Sequence, residues 1–245
     1  MQYSTFAAID IGSYDVILEI FEISKKQGIR SVDKICHRME LGKDTYTLGK
    51  IRPEMEEELC RVLADFVRIM EGYRVDAYRA MASSAISEAA NSLYVLGKIR
   101  QLTGLSVTVL SNSEQRFLGY KALAAMEDNF NKVIEKGTAI LDLDGGSFQI
   151  SLFDKDALVT TQNIRMGSLR VRERLAGIQS ETEHYEEMVE ELIWNEVSSF
   201  KKMYLKDRKI ENIMLIGDVF TDSVYQNIEE KTTKIISRRE FQHLV

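Results

Sequence analysis

One pattern occurs twice along this chain and constrains its fold more than any other feature: an apolar strand that reaches an aspartate, a glycine turn and two further strands. The first copy begins at residues 6–11 and the second at residues 138–143. A repeated order of elements indicates two structural units built in the same way. The sequence therefore predicts two domains, residues 1–126 and residues 127–245.

Apolar periodicity assigns the rest of the chain to a mixture of strands and helices. Pro53 opens a run whose apolar side chains recur every three or four residues, which is typical of a helix with one buried face. The other predicted helices are residues 84–101, 113–126 and 181–205, and the other predicted strands are residues 16–23, 32–41, 77–82, 106–110, 148–153, 157–163 and 213–217. This mixture predicts the α/β class with mixed sheets. Trp194 lies near the apolar stripe of the last helix, where we expect a core or interface role.

Composition excludes several classes of protein. The net charge of −6 disfavours a nucleic-acid surface, which needs a basic face. No apolar stretch approaches the roughly 20 residues that span a bilayer, and the first residues lack the basic region of a signal peptide. Two cysteines are too few for a disulfide framework. We therefore expect a cytoplasmic protein without nucleic-acid or membrane partners.

Both glycine turns carry groups that suit phosphate binding. Gly12 is followed by Ser13, and Gly145 and Gly146 are followed by Ser147. Backbone amides in a tight glycine turn point together and can donate to phosphate oxygens, while the serine adds a hydroxyl donor. These five residues are the predicted phosphate-binding groups.

An aspartate lies beside each turn and is a candidate metal ligand. Asp10 precedes the first turn and Asp142 precedes the second. A carboxylate in this position can hold Mg²⁺ next to phosphate, directly or through water. The alternative is that each turn only joins a β-hairpin, with glycine present to allow a positive φ. Repetition of the whole arrangement favours the functional interpretation, although either turn alone fits both.

Six segments, in order along the chain, carry a recognisable set of motifs. They are residues 8–13, 41–51, 82–91, 103–111, 140–147 and 166–170. Residues 82–91 read Ala-Ser-Ser-Ala-Ile-Ser-Glu-Ala-Ala-Asn, and residues 140–147 read Ile-Leu-Asp-Leu-Asp-Gly-Gly-Ser. The set resembles the exopolyphosphatase/guanosine pentaphosphate phosphohydrolase (Ppx/GppA) family, in which residues 41–51 would be a loop before the first long helix.

The resemblance implies a fold, a reaction and a set of ligands. The fold would be two actin-like domains of the ribonuclease H-like (ASKHA) type, with mixed sheets and an interdomain cleft. The reaction would be Mg²⁺-dependent hydrolysis of a terminal phosphoanhydride in polyphosphate or in guanosine penta- or tetraphosphate. A homodimer is left open.

Departures from the family pattern fall on the residues that its chemistry uses. Gln115 and Gln149 stand where the family has glutamates, and Glu114 remains as a neighbouring carboxylate. An amide cannot accept a proton from water near neutral pH, whereas a carboxylate can. By resemblance, these three positions are the candidate catalytic residues.

Other departures alter the phosphate-facing turns. Tyr14, Asp15 and Ile17 replace family donors and a cation in the first turn, and Asp144 replaces a glycine in the second. Asp15 and Asp144 add negative charge where an anion would lie, which predicts repulsion. Family members continue with a further helical stretch, so the chain is either naturally short or cut short.

Two functions are therefore expected. The first is an exopolyphosphatase-like hydrolase with weakened or lost catalysis. The second is a catalytically inactive protein of the same fold that binds polyphosphate or a nucleotide, or that regulates a partner. The sequence leaves open whether the protein is an enzyme, because fold transfers more safely than activity.

Overall fold

The computed structural model describes residues 3–126, 129–179 and 183–217. It divides into two compact units, Met1–Gln115 and Arg116–Val245. Among the described helices, none is both long and apolar enough to cross a membrane.

The first unit is built on a five-stranded mixed sheet. Its strands are β1 (Ser4–Ile11), β2 (Asp15–Ser24), β3 (Gly28–Arg38), β4 (Ala77–Ala82) and β5 (Val107–Val109), in the order β3-β2-β1-β4-β5. The β1–β2 and β2–β3 pairs are antiparallel, while β4 is parallel to β1 and to β5. Alternate side chains of β1 and β2 are buried, as expected for strands with one face on the core.

The first unit has helices α1 (Leu41–Leu48), α2 (Pro53–Gly72), α3 (Ser84–Ser87) and α4 (Ser92–Thr103), and α5 (Asn112–Met126) follows and contains the division between the units. These helices differ from the prediction in two places. Residues 41–48 are helical, so the predicted loop is wrong there. The predicted helix over 84–101 is broken before Ser92, because Asn91 bonds the backbone N–H and C=O of Ile51.

As far as residue 217, where the description of the chain ends, the second unit is built on a four-stranded mixed sheet. Its strands are β6 (Thr138–Leu143), β7 (Phe148–Asp154), β8 (Ala157–Ile164) and β9 (Asn212–Ile216), in the order β8-β7-β6-β9, and its further helices are α6 (Phe130–Ile134), α7 (Ser168–Gln179) and α8 (Tyr185–Tyr204). The β6–β7 and β7–β8 pairs are antiparallel and β9 is parallel to β6.

The two sheets repeat one topology. In each, the first strand pairs antiparallel with the second, the second with the third, and a later strand lies parallel to the first on its other side. The predicted repetition of strands is therefore confirmed, and it brings the two glycine turns to equivalent positions, after β1 and after β6.

The two units differ in their buried apolar clusters. Among the described residues, the first unit has one large cluster and the second has two smaller ones, one containing Ile140 and the other Leu152. Trp194 on α8 is 59% exposed. Of the two expected roles, the structure of the described residues does not support a core position, because the α8 stripe buries Phe200 and not Trp194. The interface role stays a prediction.

Candidate functional site

The first glycine turn joins β1 to β2. The Gly12 N–H donates to the Asp15 carbonyl at 3.0 Å, and a Cβ on Gly12 would lie 2.9 Å from that oxygen. A side chain at this position would therefore clash, so the glycine is needed for close backbone approach. Asp10 is exposed near the end of β1, where it is paired in register with Ile17 and Met81.

Three hydroxyl groups meet beside this turn. Ser13 Oγ lies 2.6 Å from the Tyr46 hydroxyl, which lies 2.8 Å from Ser84 Oγ. The two serine oxygens are 3.4 Å apart. Both serines are buried, so the Ser13 hydroxyl that was predicted to bind phosphate is already hydrogen-bonded to the protein.

Sequence reasoning missed Tyr46 because its segment was assigned to a loop. The helix α1 that carries it is tied to the first turn through backbone hydrogen bonds. Gly42 N–H donates to the Ser13 carbonyl, and the Met39 and Glu40 N–H groups both donate to the Tyr14 carbonyl. Glu40 has a φ of 52°, which turns the chain sharply into the helix.

Negative charge at Asp15 is offset within the first unit. Arg38 Nε donates to Asp15 Oδ1 at 2.8 Å, and the two residues are paired between β2 and β3. The Arg38 guanidinium also lies 4.8 Å from the centre of the Tyr14 ring. The predicted repulsion of an anion by Asp15 is therefore reduced by a neighbouring cation.

The second glycine turn joins β6 to β7 and has its amides occupied. Asp144 Oδ1 accepts hydrogen bonds from the N–H groups of Gly146 and Ser147, each at 2.7 Å. The Asp144 N–H in turn donates to the Ser147 carbonyl at 3.1 Å. This arrangement is an Asx turn, in which a side chain takes the hydrogen bonds of backbone donors.

Residues around the start of α7 hold the second turn from outside. Ser168 N–H donates to the Asp144 carbonyl, and Arg170 donates to Gly145 and Gly146 through its backbone N–H and its Nε. A Cβ on Gly167 would overlap the backbone of the same turn. Because Gly167 has no side chain, residues 166–170 can pack closely against the second turn and hold it in place.

A row of polar residues crosses the sheet next to this turn. Asp142 on β6 is directly opposite Gln149 on β7, which is opposite Asn163 on β8. Gln149 is buried, at 8% exposure, and Asn163 Oδ1 is buried with no hydrogen-bond partner among the described residues. The candidate metal ligand and one candidate catalytic position therefore lie side by side.

The next row of residues on the same face of the sheet makes further polar contacts. The Tyr120 hydroxyl donates to Ser151 Oγ at 2.5 Å, and Arg116 Nη1 donates to Thr161 Oγ1 at 3.0 Å. Ser151 and Thr161 are 3.2 Å apart through their side-chain oxygens. Sequence reasoning missed Arg116, which brings a guanidinium to the face that bears Gln149.

Glu114 closes the N-terminus of α5. Its Oε2 accepts from the Ser111 N–H at 2.9 Å and from the Ser111 hydroxyl at 2.7 Å, and the Glu114 N–H lies 3.3 Å from Ser111 Oγ. This is a capping box. The Ser111 N–H and hydroxyl lower the pKa of Glu114 below its ordinary value, which weakens it as a base. Gln115 follows it, with its N–H on the Ser111 carbonyl.

The candidate ligands suit Mg²⁺ only where phosphate oxygens bind the same ion. No group of three or more His, Cys, Asp or Glu side chains that could hold a metal occurs within the described ranges. One predicted carboxylate ligand instead lies beside each turn, Asp10 or Asp142, and Mg²⁺ commonly binds one or two carboxylates together with phosphate oxygens and water. By the same family resemblance, residues 218–221 stand where the family has a Gly-Gly-Thr loop, and they lie outside the described residues.

Comparison with known proteins assigns the chain to a family. The model of the Ppx/GppA phosphatase family matches residues 19–245. The chain belongs to this family. A bifunctional 3-dehydroquinate synthase/phosphatase of Fusobacterium nucleatum is 21% identical over 238 residues, which are 92% of this chain and 34% of that protein. Exopolyphosphatase 1 of Mycobacterium leprae is 25% identical over 144 residues, which are 58% of this chain and 41% of that protein.

Solved structures agree on the fold. The Aquifex aeolicus Ppx/GppA family member matches with a TM-score of 0.68 and 21% identity, over 93% of this chain and 72% of that chain. The two-sheet, actin-like α/β fold implied by the sequence resemblance is therefore confirmed. The chain spans about a third of the length of the first curated relative described above and about two fifths of the second.

Proposed function

We propose that this Ppx/GppA-family chain binds polyphosphate-type phosphoanhydrides and releases terminal phosphate slowly. The observation that carries the proposal is the position of Asp142, opposite Gln149 and two residues before the turn of residues 144–147. Family membership supports a phosphatase-type reaction. Guanosine penta- or tetraphosphate is the alternative ligand of the same chemical class.

Roles in this reaction follow from the chemistry of each group. In the second unit, the amides of Gly146 and Ser147 would bind phosphate oxygens when Asp144 releases them, and Asp142 would hold Mg²⁺. In the first unit, Ser13 and Asp10 are the corresponding candidate groups, with the Ser13 hydroxyl exchanging its contact with Tyr46 for one with phosphate. When bound, Mg²⁺ would screen the negative charge of the phosphates. Gln149 and Gln115 can orient a water molecule through hydrogen bonds but cannot accept its proton. Losing a general base typically lowers a rate by about 10²–10⁴-fold, which is why we expect slow turnover.

Phosphate release from polyphosphate in the presence of Mg²⁺ tests the proposal. We expect a low rate from the unaltered protein, loss of that rate in Asp142→Ala, and a rise of about 10²-fold or more in the double variant Gln115→Glu/Gln149→Glu. Gln101→Glu, an exposed change on α4, is the matched control and should leave the rate unaltered. Silence from both the unaltered protein and the double variant would contradict the hydrolase proposal.

A non-catalytic binding protein is the second candidate, and Glu114 favours it. The carboxylate of Glu114 is held by Ser111 in a capping box, where its lowered pKa makes it a weak base. A ligand that binds only the folded state raises apparent stability by mass action. Thermal stabilisation by polyphosphate and Mg²⁺, without phosphate release even from the double variant, would support this candidate.

A further inference from the structure

The carboxylate of Asp144 lies where the sequence predicts a bound phosphate. One oxygen of this side chain, Oδ1, accepts from the N–H groups of Gly146 and Ser147, both at 2.7 Å. Successive amides that converge on one oxygen form an anion-binding concavity. We propose that Asp144 is an internal anion that fills this site and competes with phosphate for it.

Contacts made by the backbone of the turn do not depend on the carboxylate. The carbonyls of residues 144–146 accept from Ser168 and Arg170, and Gly167 packs against the same peptide groups. The turn is thus held in shape by α7 and the residue before it. Rotation of the Asp144 side chain would free both amides without moving the backbone that supports them.

Asp144 competes with phosphate in two ways: it occupies the amides of Gly146 and Ser147, and it carries a negative charge. A hydrogen bond to a charged acceptor is stronger than one to a neutral acceptor, so the carboxylate holds the two amides well. A phosphate that approaches the turn must displace it and also meets a like charge a few ångströms away. Asparagine would keep an acceptor oxygen but remove the charge, and glycine would remove both. We therefore expect phosphate affinity to rise in the order Asp, Asn, Gly at position 144.

This inference rests on the proposed function in one respect, that the anion competing with Asp144 is a phosphate. Inorganic phosphate is the probe, and the amide resonances of Gly146 and Ser147, followed by ¹⁵N NMR, are the readout. The variants are Asp144→Asn and Asp144→Gly. Asp156→Gly is the matched control, because it makes the same change in the β7–β8 turn, where Asp156 is exposed and has a φ of 61°.

In Asp144→Gly, we expect phosphate to shift both amide resonances at concentrations about tenfold lower than in the unaltered protein. Asp144→Asn should be intermediate and Asp156→Gly should match the unaltered protein. Equal responses in the unaltered protein and Asp144→Gly would overturn the inference, and so would no response in Asp144→Gly. Should thermal denaturation show that Asp144→Gly is unfolded, Asp144→Ala replaces it, because alanine also lacks an acceptor.

Polyphosphate separates this inference from the proposed function. If the unaltered protein and Asp144→Gly bind and hydrolyse polyphosphate equally, the proposed function stands and the inference fails. If phosphate shifts the turn amides only after Asp144 is replaced, while no variant binds or hydrolyses polyphosphate, the inference stands and the proposed function fails.

Discussion

Asp142 and Gln149 are directly opposed partners in the antiparallel β6–β7 pair, so their side chains leave the same face of the sheet. Opposed residues in such a pair have Cβ atoms about 4.5–5.5 Å apart. A carboxylate at position 149 would therefore lie beside the Asp142 carboxylate, within reach of one shared cation. The amide that stands there avoids the repulsion between two such charges.

Gln149→Glu should make the stability of the second unit depend on Mg²⁺. Without the cation, we expect a loss of roughly 1 kcal/mol or more, because a like charge is added at a buried position. Mg²⁺ should recover most of this loss by bridging the two carboxylates. Thermal denaturation with and without MgCl₂ measures both effects. The double variant Asp142→Asn/Gln149→Glu is the control, and a Mg²⁺ response that persists in it would disprove the pairing.

Tyr46→Phe should destabilise the first unit by about 1–2 kcal/mol, because it removes the hydroxyl that contacts two buried serines. Urea denaturation gives this free energy of unfolding. Tyr73→Phe removes a hydroxyl that donates to Asp33 at an exposed site and should cost less. Equal losses in the two variants would mean that the hydroxyl cluster around Ser13 contributes no particular stability.

Gly167→Ala should destabilise the second unit, whereas Gly177→Ala should not. A Cβ on Gly167 meets the backbone of the Asp144–Ser147 turn, which cannot yield as a side chain can, so we expect a loss of about 1–3 kcal/mol. Gly177 lies in α7 with no atom near its Cβ position, and alanine there should stabilise the helix by roughly 0.5–1 kcal/mol. Urea denaturation of both variants tests the contrast, which fails if they shift in the same direction.

Glu114→Gln should reveal a pH-dependent contribution of the α5 cap. The folded pKa of Glu114 is lowered by the Ser111 N–H and hydroxyl, so its ionised form stabilises the fold above the unfolded pKa. That contribution disappears as the pH falls through the lowered folded pKa. The melting temperature of Glu114→Gln should thus lie below that of the unaltered protein at pH 7, and the gap should close in acid. A gap of constant size would contradict the role, and Glu71→Gln controls for the loss of one exposed charge on α2.

The sequence predicted the strands better than it predicted the helix α1, which lies beside the first turn. The repeated strand pattern was readable because β-branched runs and aspartate–glycine turns are local signals. The start of helix α1 has no such signal, since Glu40 makes no side-chain cap hydrogen bond and the position of the helix is set by hydrogen bonds to Ser13 and Tyr14. Tyr46 could not be assigned to the site for the same reason.

Residue types in the candidate site were predicted, but their partners mostly were not. The pairing of Asp142 with Gln149 follows from strand register once the hairpin is accepted. The bond between Arg116 and Thr161 joins residues 45 positions apart, and no local pattern encodes it. The contacts of Asp144 were not predicted either, although an aspartate two residues before a glycine and three before a serine is a local Asx-turn signal.

Two of the first-turn departures from the family pattern, Tyr14 and Asp15, contact Arg38. Asp15 binds the guanidinium of Arg38, which in turn lies against the ring of Tyr14. Changing Asp15 alone to a small polar residue would leave the mostly exposed Arg38 guanidinium without its carboxylate, and changing Arg38 alone would leave the more buried Asp15 carboxylate without its cation. The effects of such substitutions are not additive. The effect of returning Asp15 to the usual family residue therefore depends on whether Arg38 is replaced as well, which is epistasis between the two positions.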